Sequence, residues 1–184
     1  HPTTAAVVLK HNEGVSGFGN VVLDVSTLPD PDDSTAVGAT MALLEAIRPE
    51  MPGSTAADYF ATLQHEGGIV EEMISAPEVR SPSVQLRITP LGVVELLSTH
   101  DQVLGGASGQ VFMGSRFPAD AGYASTISDH AARVGERLAA RGVSGRFAID
   151  FVVAREPGGP WDARAIELNL RKGGTTHPFL TLQC

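Results

Sequence analysis

The chain has 184 residues, 42% hydrophobic and 5% aromatic, with one cysteine, Cys184, and a formal net charge of −8. The length suits one substantial core or two small lobes built mostly on Val, Ile, Leu and Ala, and the acidity argues against a nucleic-acid partner or an acidic membrane surface, since both select basic faces. A lone cysteine excludes an intramolecular disulfide and a cysteine-based zinc cluster, and no apolar run reaches the roughly 20 residues of a spanning helix, so the expected setting is cytoplasmic.

Ala5–Leu9 reads as a buried strand, Asn12–Asn20 as a glycine-rich turn and Val21–Val25 as the returning strand. Leu28–Ser34 is a Pro/Asp loop. Val37, Met41, Leu44 and Ile47 then recur at helical spacing until Pro49. Ser54 or Thr55 is placed to cap a second helix over Ala56–His65, ended by Gly67–Gly68. Ile69–Ile74, Val84–Ile88 and Val93–Leu97 read as strands, the last two joined by a turn at Thr89–Gly92. Gly105–Gly109 reads as a loop. Ile127, Ala131, Val134 and Leu138 define an amphipathic helix stopped by Gly142, and Phe147–Val153 and Ala163–Leu170 are strands around a turn at Pro157–Pro160. The pattern is α+β, with a small lobe first and a mostly antiparallel sheet second.

The last hairpin carries the strongest chemical signal. Side chains alternate between the faces of a strand. Phe147, Ile149, Phe151 and Val153 therefore share one face, with Asp150 on the other; Ile166, Leu168 and Leu170 share one face, with Glu167 and Asn169 on the other. A turn centred between Gly158 and Gly159 puts Asp150 opposite Glu167, with Cβ atoms about 4.5–5.5 Å apart, where like charges repel. Asn169 lies one same-face step further along. Two carboxylates and an amide oxygen make an oxygen-only site, which suits Mg²⁺ rather than zinc, and a divalent cation would relieve the repulsion. Arg171, Lys172, Gly173, Gly174, Thr175, Thr176 and His177 follow at once, a mixture of cations, glycine amides and hydroxyls fit for polyphosphate.

Lys10 and Lys172 are the only lysines among 13 basic residues. Lys10 ends a strand and precedes Glu13, Gly14, Val15, Ser16, Gly17, Phe18, Gly19 and Asn20. Glycines let a loop turn its N–H groups toward an anion, and Lys10 could meet a phosphate oxygen. The lysine comes before the glycines, so this is not a P-loop, and no helix follows, so it is not a dinucleotide fingerprint. Glu71 and Glu72 interrupt an apolar strand that continues to Met73 and Ile74; an acid here can accept from an exocyclic amine while the backbone pairs with a purine edge.

The order strand–Lys10–glycine loop, strand with a central Glu, Asp150, then Glu167-x-Asn169 resembles the ATP-grasp superfamily from Val7 to Pro178. The resemblance implies an ATP-grasp fold of two small α+β lobes, here residues 1–70 and 71–184, with ATP bound between them. It implies Lys10 on the phosphates, Gly14, Ser16, Gly17, Phe18, Gly19 and Asn20 as the closing loop, and Glu71, Glu72, Met73 and Ile74 as the adenine-holding hinge. Asp150, Glu167 and Asn169 would hold Mg²⁺ or Mn²⁺, and Arg171 would lie at the acyl phosphate. Ser98–Gln102, Gly114–Pro118 and Glu167–Pro178 resemble the pheganomycin-type peptide ligases.

The activity so implied is ATP-dependent joining of a carboxylate to an amine, an amino acid or peptide, through an acyl phosphate. Arg87, His100, Asp101, Arg116, Gly173, Gly174 and His177 are candidate substrate contacts, and Glu78 is a candidate for the ribose. His100 and Asp101 are strand neighbours, so they face opposite ways and do not form an obvious dyad. Dimers are common in the resembled family, which puts a homodimer among the expected assemblies. The family's upstream ATP-contacting lysine and N-terminal domain are not found in these residues, which leaves two expectations: an excerpt of a larger protein, or a chain that is not competent alone. A small-molecule kinase on the same fold and a silent ATP-binding module are the rival expectations.

Overall fold

The computed structural model describes residues 4–14, 17–106 and 109–183. The chain divides into two compact units, His1–Met73 with Leu104–Phe112, and Ile74–Val103 with Met113–Cys184. The chain crosses from one to the other just after the strand that carries Glu71 and Glu72.

The first unit is a three-stranded antiparallel sheet with two helices. β1 (Ala6–His11) is central, between β2 (Asn20–Asp24) and β3 (Gly68–Glu72), and α1 (Ala36–Glu45) and α2 (Ala56–Glu66) lie between β2 and β3 in sequence. Leu9, Val21 and Leu23 point from the sheet into a core shared with Ile47 and Tyr59. Thr55, not Ser54, caps α2: its hydroxyl accepts from Asp58 N, and the Asp58 carboxylate accepts from Thr55 N. The Tyr59 hydroxyl lies 3.2 Å from Leu9 O and 3.1 Å from Gly19 O, and His11 stacks on its ring at 4.1 Å, so both ends of the glycine loop are anchored on α2. The helical apolar stripe needs a correction. Val37 and Met41 are exposed; with Val7, Val25, Leu28 and Val70 they line an open cleft of about 1270 Å³, while Leu43 and Leu44 face the core.

The second unit is a six-stranded antiparallel sheet in the order β4-β8-β5-β6-β7, with β9 also pairing β8. Its strands are β4 (Glu78–Arg80), β5 (Pro82–Ile88), β6 (Val94–Gly105), β7 (Val111–Arg116), β8 (Gly145–Arg155) and β9 (Asp162–Asn169). α3 (Ala121–Ala139) lays Tyr123, Ile127 and Ala131 on Val84, Leu86 and Ile88 of β5 and on Phe147, Ile149, Phe151 and Val153 of β8. The opposite face of β5 and β8 therefore carries Ser83, Gln85 and Arg87 beside Arg146, Ala148 and Asp150. α4 (Thr176–Leu182) is a further helix beyond the elements read from the sequence, and β6 runs on to Gly105, well past Leu97.

Gly135 packs α3 closely on the sheet: a Cβ there would stand 2.7 Å from Val94 Cγ1. Gly135→Ala is expected to lower stability by about 1–2 kcal/mol, because overpacking outweighs a helix-propensity gain of roughly 1 kcal/mol. Urea denaturation reads the difference, and a variant more stable than wild type would refute this packing.

Candidate functional site

The site face belongs to β8, β5, β6 and β9. Asp150 is the direct partner of both Ser83 on β5 and Glu167 on β9, and Ser83 is in turn the partner of His100 on β6. The next same-face row is Ser98, Gln85, Ala148 and Asn169. The expected opposition of Asp150 and Glu167 is thus present, but the hairpin reaches it by another route. Val153 pairs with Ala163, half a residue off the assumed centre, and a bulge at Ile166 restores the register before Glu167. Leu168 and Leu170, expected on an apolar face, are 44% and 53% exposed.

The Asn169 amide nitrogen donates to Asp150 Oδ2 at 3.1 Å. Burial pushes the Asp150 carboxyl up to about 6, and Glu167 adds to the rise; the neighbouring Ser83 hydroxyl, the Arg171 charge and the Asn169 amide oppose it. Among the described residues no three His, Cys, Asp or Glu side chains cluster as metal ligands. The available donors are two carboxylates and one amide, whose oxygen turns toward the pair when the amide rotates by half a turn. That set fits a hard divalent ion such as Mg²⁺ or Mn²⁺ and would not select zinc.

Polar residues that the sequence reading passed over fill the rest of this face. Ser83 and Gln85 are 1% and 3% exposed. The Gln85 amide donates to Ser98 Oγ at 3.1 Å and to Thr175 O at 3.3 Å, which ties the segment after Arg171 to β5 and β6. The usable signal was the alternation Ser83-x-Gln85-x-Arg87, a polar face repeating every second residue. His100 is 1% exposed, lies tilted against Phe117 with ring centroids 5.0 Å apart, and leaves Nδ1 without a hydrogen-bond partner. Burial holds its imidazole down to about 4, so it is neutral at pH 7.

Other candidates are engaged elsewhere. Asp101 accepts from the Tyr123 hydroxyl at 2.6 Å and from Asp120 N at 3.1 Å, anchoring the start of α3. Arg87 pairs with Glu95 at 2.5 Å, and Glu78 pairs with Arg155, whose guanidinium lies over Trp161. Arg116 is exposed at the end of β7, Gly173 N donates to Thr176 Oγ1 in the loop before α4, Gly174 is exposed beside it, and His177 is exposed on α4.

In the first unit, Lys10 Nζ pairs with the Glu71 carboxylate. Val8 is the direct partner of Glu71, so Lys10 and Glu71 share a face of β1 and β3. Glu72 turns the other way and accepts from Thr4 Oγ1 at 3.1 Å. β3 ends at Glu72; Met73 N still donates to Ala6 O, and Ile74 opens the second unit. Ser16 and Val15 lie outside the described residues. Gly14 and Gly19 pack against each other: a Cβ on Gly19 would stand 2.9 Å from Gly14 Cα. Gly17 has φ 84°, and its Cβ would meet Gln110 O at 2.2 Å, so both conformation and space demand glycine there. Asn20 N donates back to Gly17 O at 3.0 Å, and Phe18 is 40% exposed at the tip.

A nucleotide-lobe pattern of lysine and glycine loop, followed by an antiparallel sheet with a metal-fit acid pair, defines a class, and family comparison agrees: residues 54–164 match the family described as IQCH-like, ATP-grasp, and the chain belongs to the ATP-grasp family. Over 163 residues it is 39% identical to an L-propargylglycine–L-glutamate ligase of Streptantibioticus cattleyicolor, covering 88% of this chain and 30% of that protein. It also resembles the biotin carboxylase–β,γ-ATP complex of Campylobacter jejuni, with TM-score 0.63 and 18% identity over 95% of this chain and 33% of that one. The biotin carboxylase domain of Hydrogenobacter thermophilus 2-oxoglutarate carboxylase, solved with MgADP, ADP and bicarbonate, gives TM-score 0.60 and 15% identity over 94% of this chain and 32% of that one. These likenesses establish the ATP-grasp fold. The chain spans about a third of the length of each of these relatives. No helix among the described residues is long and apolar enough to cross a membrane.

Proposed function

We propose that this chain is the ATP- and Mg²⁺-binding part of a ligase that activates a carboxylate as an acyl phosphate and couples it to the amine of an amino acid or peptide. The observation that carries the reading is the acid pair: Asp150 directly opposite Glu167, with Asn169 hydrogen-bonded to Asp150. Asp150, Glu167 and Asn169 would hold the ion. Mg²⁺, when bound, would neutralise charge developing on the transferred phosphoryl group. Lys10 would bind phosphate oxygens, leaving Glu71 free to accept from the adenine amino group, with Glu72, Met73 and Ile74 beside the purine. Gly14, Ser16, Gly17, Phe18, Gly19 and Asn20 would cover the phosphates and exclude water, which otherwise hydrolyses an acyl phosphate. Arg171, whose charge acts on Asp150, would orient the reacting carboxylate with its planar fork. No nucleophile from the protein is needed, so catalysis would be positioning and electrostatics.

The relative's name makes L-glutamate the first amino acid to try, as carboxylate or as amine. Incubation with ATP, Mg²⁺ and an amino-acid mixture containing L-glutamate, followed by mass spectrometry, is expected to show an ATP-dependent amide together with ADP and phosphate. A stable phosphorylated product would identify a kinase instead, and nucleotide binding without ADP release would identify a silent module.

A further inference from the structure

Arg146 alternates with Ala148 and Asp150 on β8 and so shares the site face. Its direct partner across the sheet is Arg87 of β5, which sets two guanidinium groups opposite each other, a repulsive pairing. Glu95 neutralises Arg87. Nothing does so for Arg146: the ion pairs among the described residues leave it out, and its Nη1 is buried with no hydrogen-bond partner. A buried donor without an acceptor is costly and rare in native folds, and a guanidinium answers best to a carboxylate or phosphate. Along the strand, Arg146 stands about 13 Å from Asp150 at Cα. That spacing leaves room on the face for a substrate between Arg146 and Asp150, so Arg146 would meet a part of it other than the reacting group.

We propose that Arg146 binds a non-reacting carboxylate of an amino-acid substrate on the sheet face that carries Asp150, Glu167 and Asn169. The inference rests on the ligase reading for the identity of the ligand. Arg146 then sets specificity: substrates that keep that carboxylate are favoured, and their amides are refused because the guanidinium stays unpaired.

Calorimetric titration tests this with L-glutamate, L-glutamine and L-isoglutamine as probes, against wild type, Arg146→Met and Arg146→Lys, with and without MgADP. Arg146→Met is expected to weaken L-glutamate by about tenfold or more while leaving one of the two amides, which lacks the contacted carboxylate, within about twofold of its wild-type affinity. Arg146→Lys should keep part of the glutamate affinity, since the charge remains and only the fork is lost. MgADP affinity should be unchanged in all three proteins. Wild type that binds MgADP but not L-glutamate would overturn the proposal, as would equal weakening of all three probes by Arg146→Met, or a loss of MgADP affinity in the variant, which would assign Arg146 to the nucleotide. Failure of the ligase reading shows separately, as wild type that does not bind MgADP.

Discussion

Asp150→Asn is expected to make the nucleotide-free protein more stable at pH 7, by up to about 3 kcal/mol, while lowering metal-dependent turnover at least about a hundredfold. The stabilisation follows from the direction of the Asp150 shift. Its carboxyl titrates near 6 in the fold, mainly because it is buried, against 3.8 when free. Between those values the folded state holds a proton that the unfolded state has released, so stability falls as pH rises from about 4 to about 6 and stays low above. Asparagine carries no charge and avoids that cost. It also removes the carboxylate that would hold the ion, so a single substitution trades activity for stability. Urea denaturation at pH 7 and an ADP-release assay read the two effects. A variant both less stable and fully active would contradict the assignment.

The pH profile of stability gives the second large effect, because His100 works against Asp150 over nearly the same range. Burial holds His100 at about 4, against 6.5 when free. The unfolded state therefore takes up a proton that the fold refuses, and the His100 contribution to stability is lost as pH falls from 6.5 toward 4. Asp150 contributes in the opposite sense over roughly 4 to 6, so wild type is expected to show a nearly flat profile from these two groups. Asp150→Asn removes one term and should expose a fall of about 3 kcal/mol between pH 6.5 and pH 4. His100→Phe removes the other and should leave stability rising as the pH is lowered from 6 to 4. Denaturation midpoints at half-unit pH steps separate the three proteins. Parallel profiles for all three would show that neither group is buried as described.

Much of the architecture was legible because its signals are local. Alternation in Phe147–Val153, helical spacing through Ile127, Ala131, Val134 and Leu138, and Gly142 after them each follow from one element's geometry. The opposition of Asp150 and Glu167 was also legible, although the bulge at Ile166 that produces it was not, since a bulge depends on both strands at once. Long-range packing hid the rest. Val37 and Met41 fit a buried stripe by spacing, yet face an open cleft. The apolar run that marks Val93–Leu97 gives out there, so the end of β6 at Gly105 was not legible: the continuation through Ser98, His100 and Gln102 is polar on one face. For the same reason Ser83 and Gln85 were passed over: small polar residues look like surface until the sheet and the Thr175 segment bury them. Arg146 gave no sequence signal beyond its spacing from Asp150; its unpartnered nitrogen is visible only once its neighbours are placed.

Manganese binding in the presence of ATP tests the metal assignment most directly, since Mn²⁺ accepts the same oxygen donors as Mg²⁺ and its free ion is read by electron paramagnetic resonance. Titration of wild type into Mn²⁺ and ATP is expected to diminish the free-ion signal with one site per chain, and Glu167→Ala is expected to leave it close to that of Mn²⁺ and ATP alone. Equal depletion of the signal by both proteins would place the ion somewhere other than the Asp150–Glu167–Asn169 face.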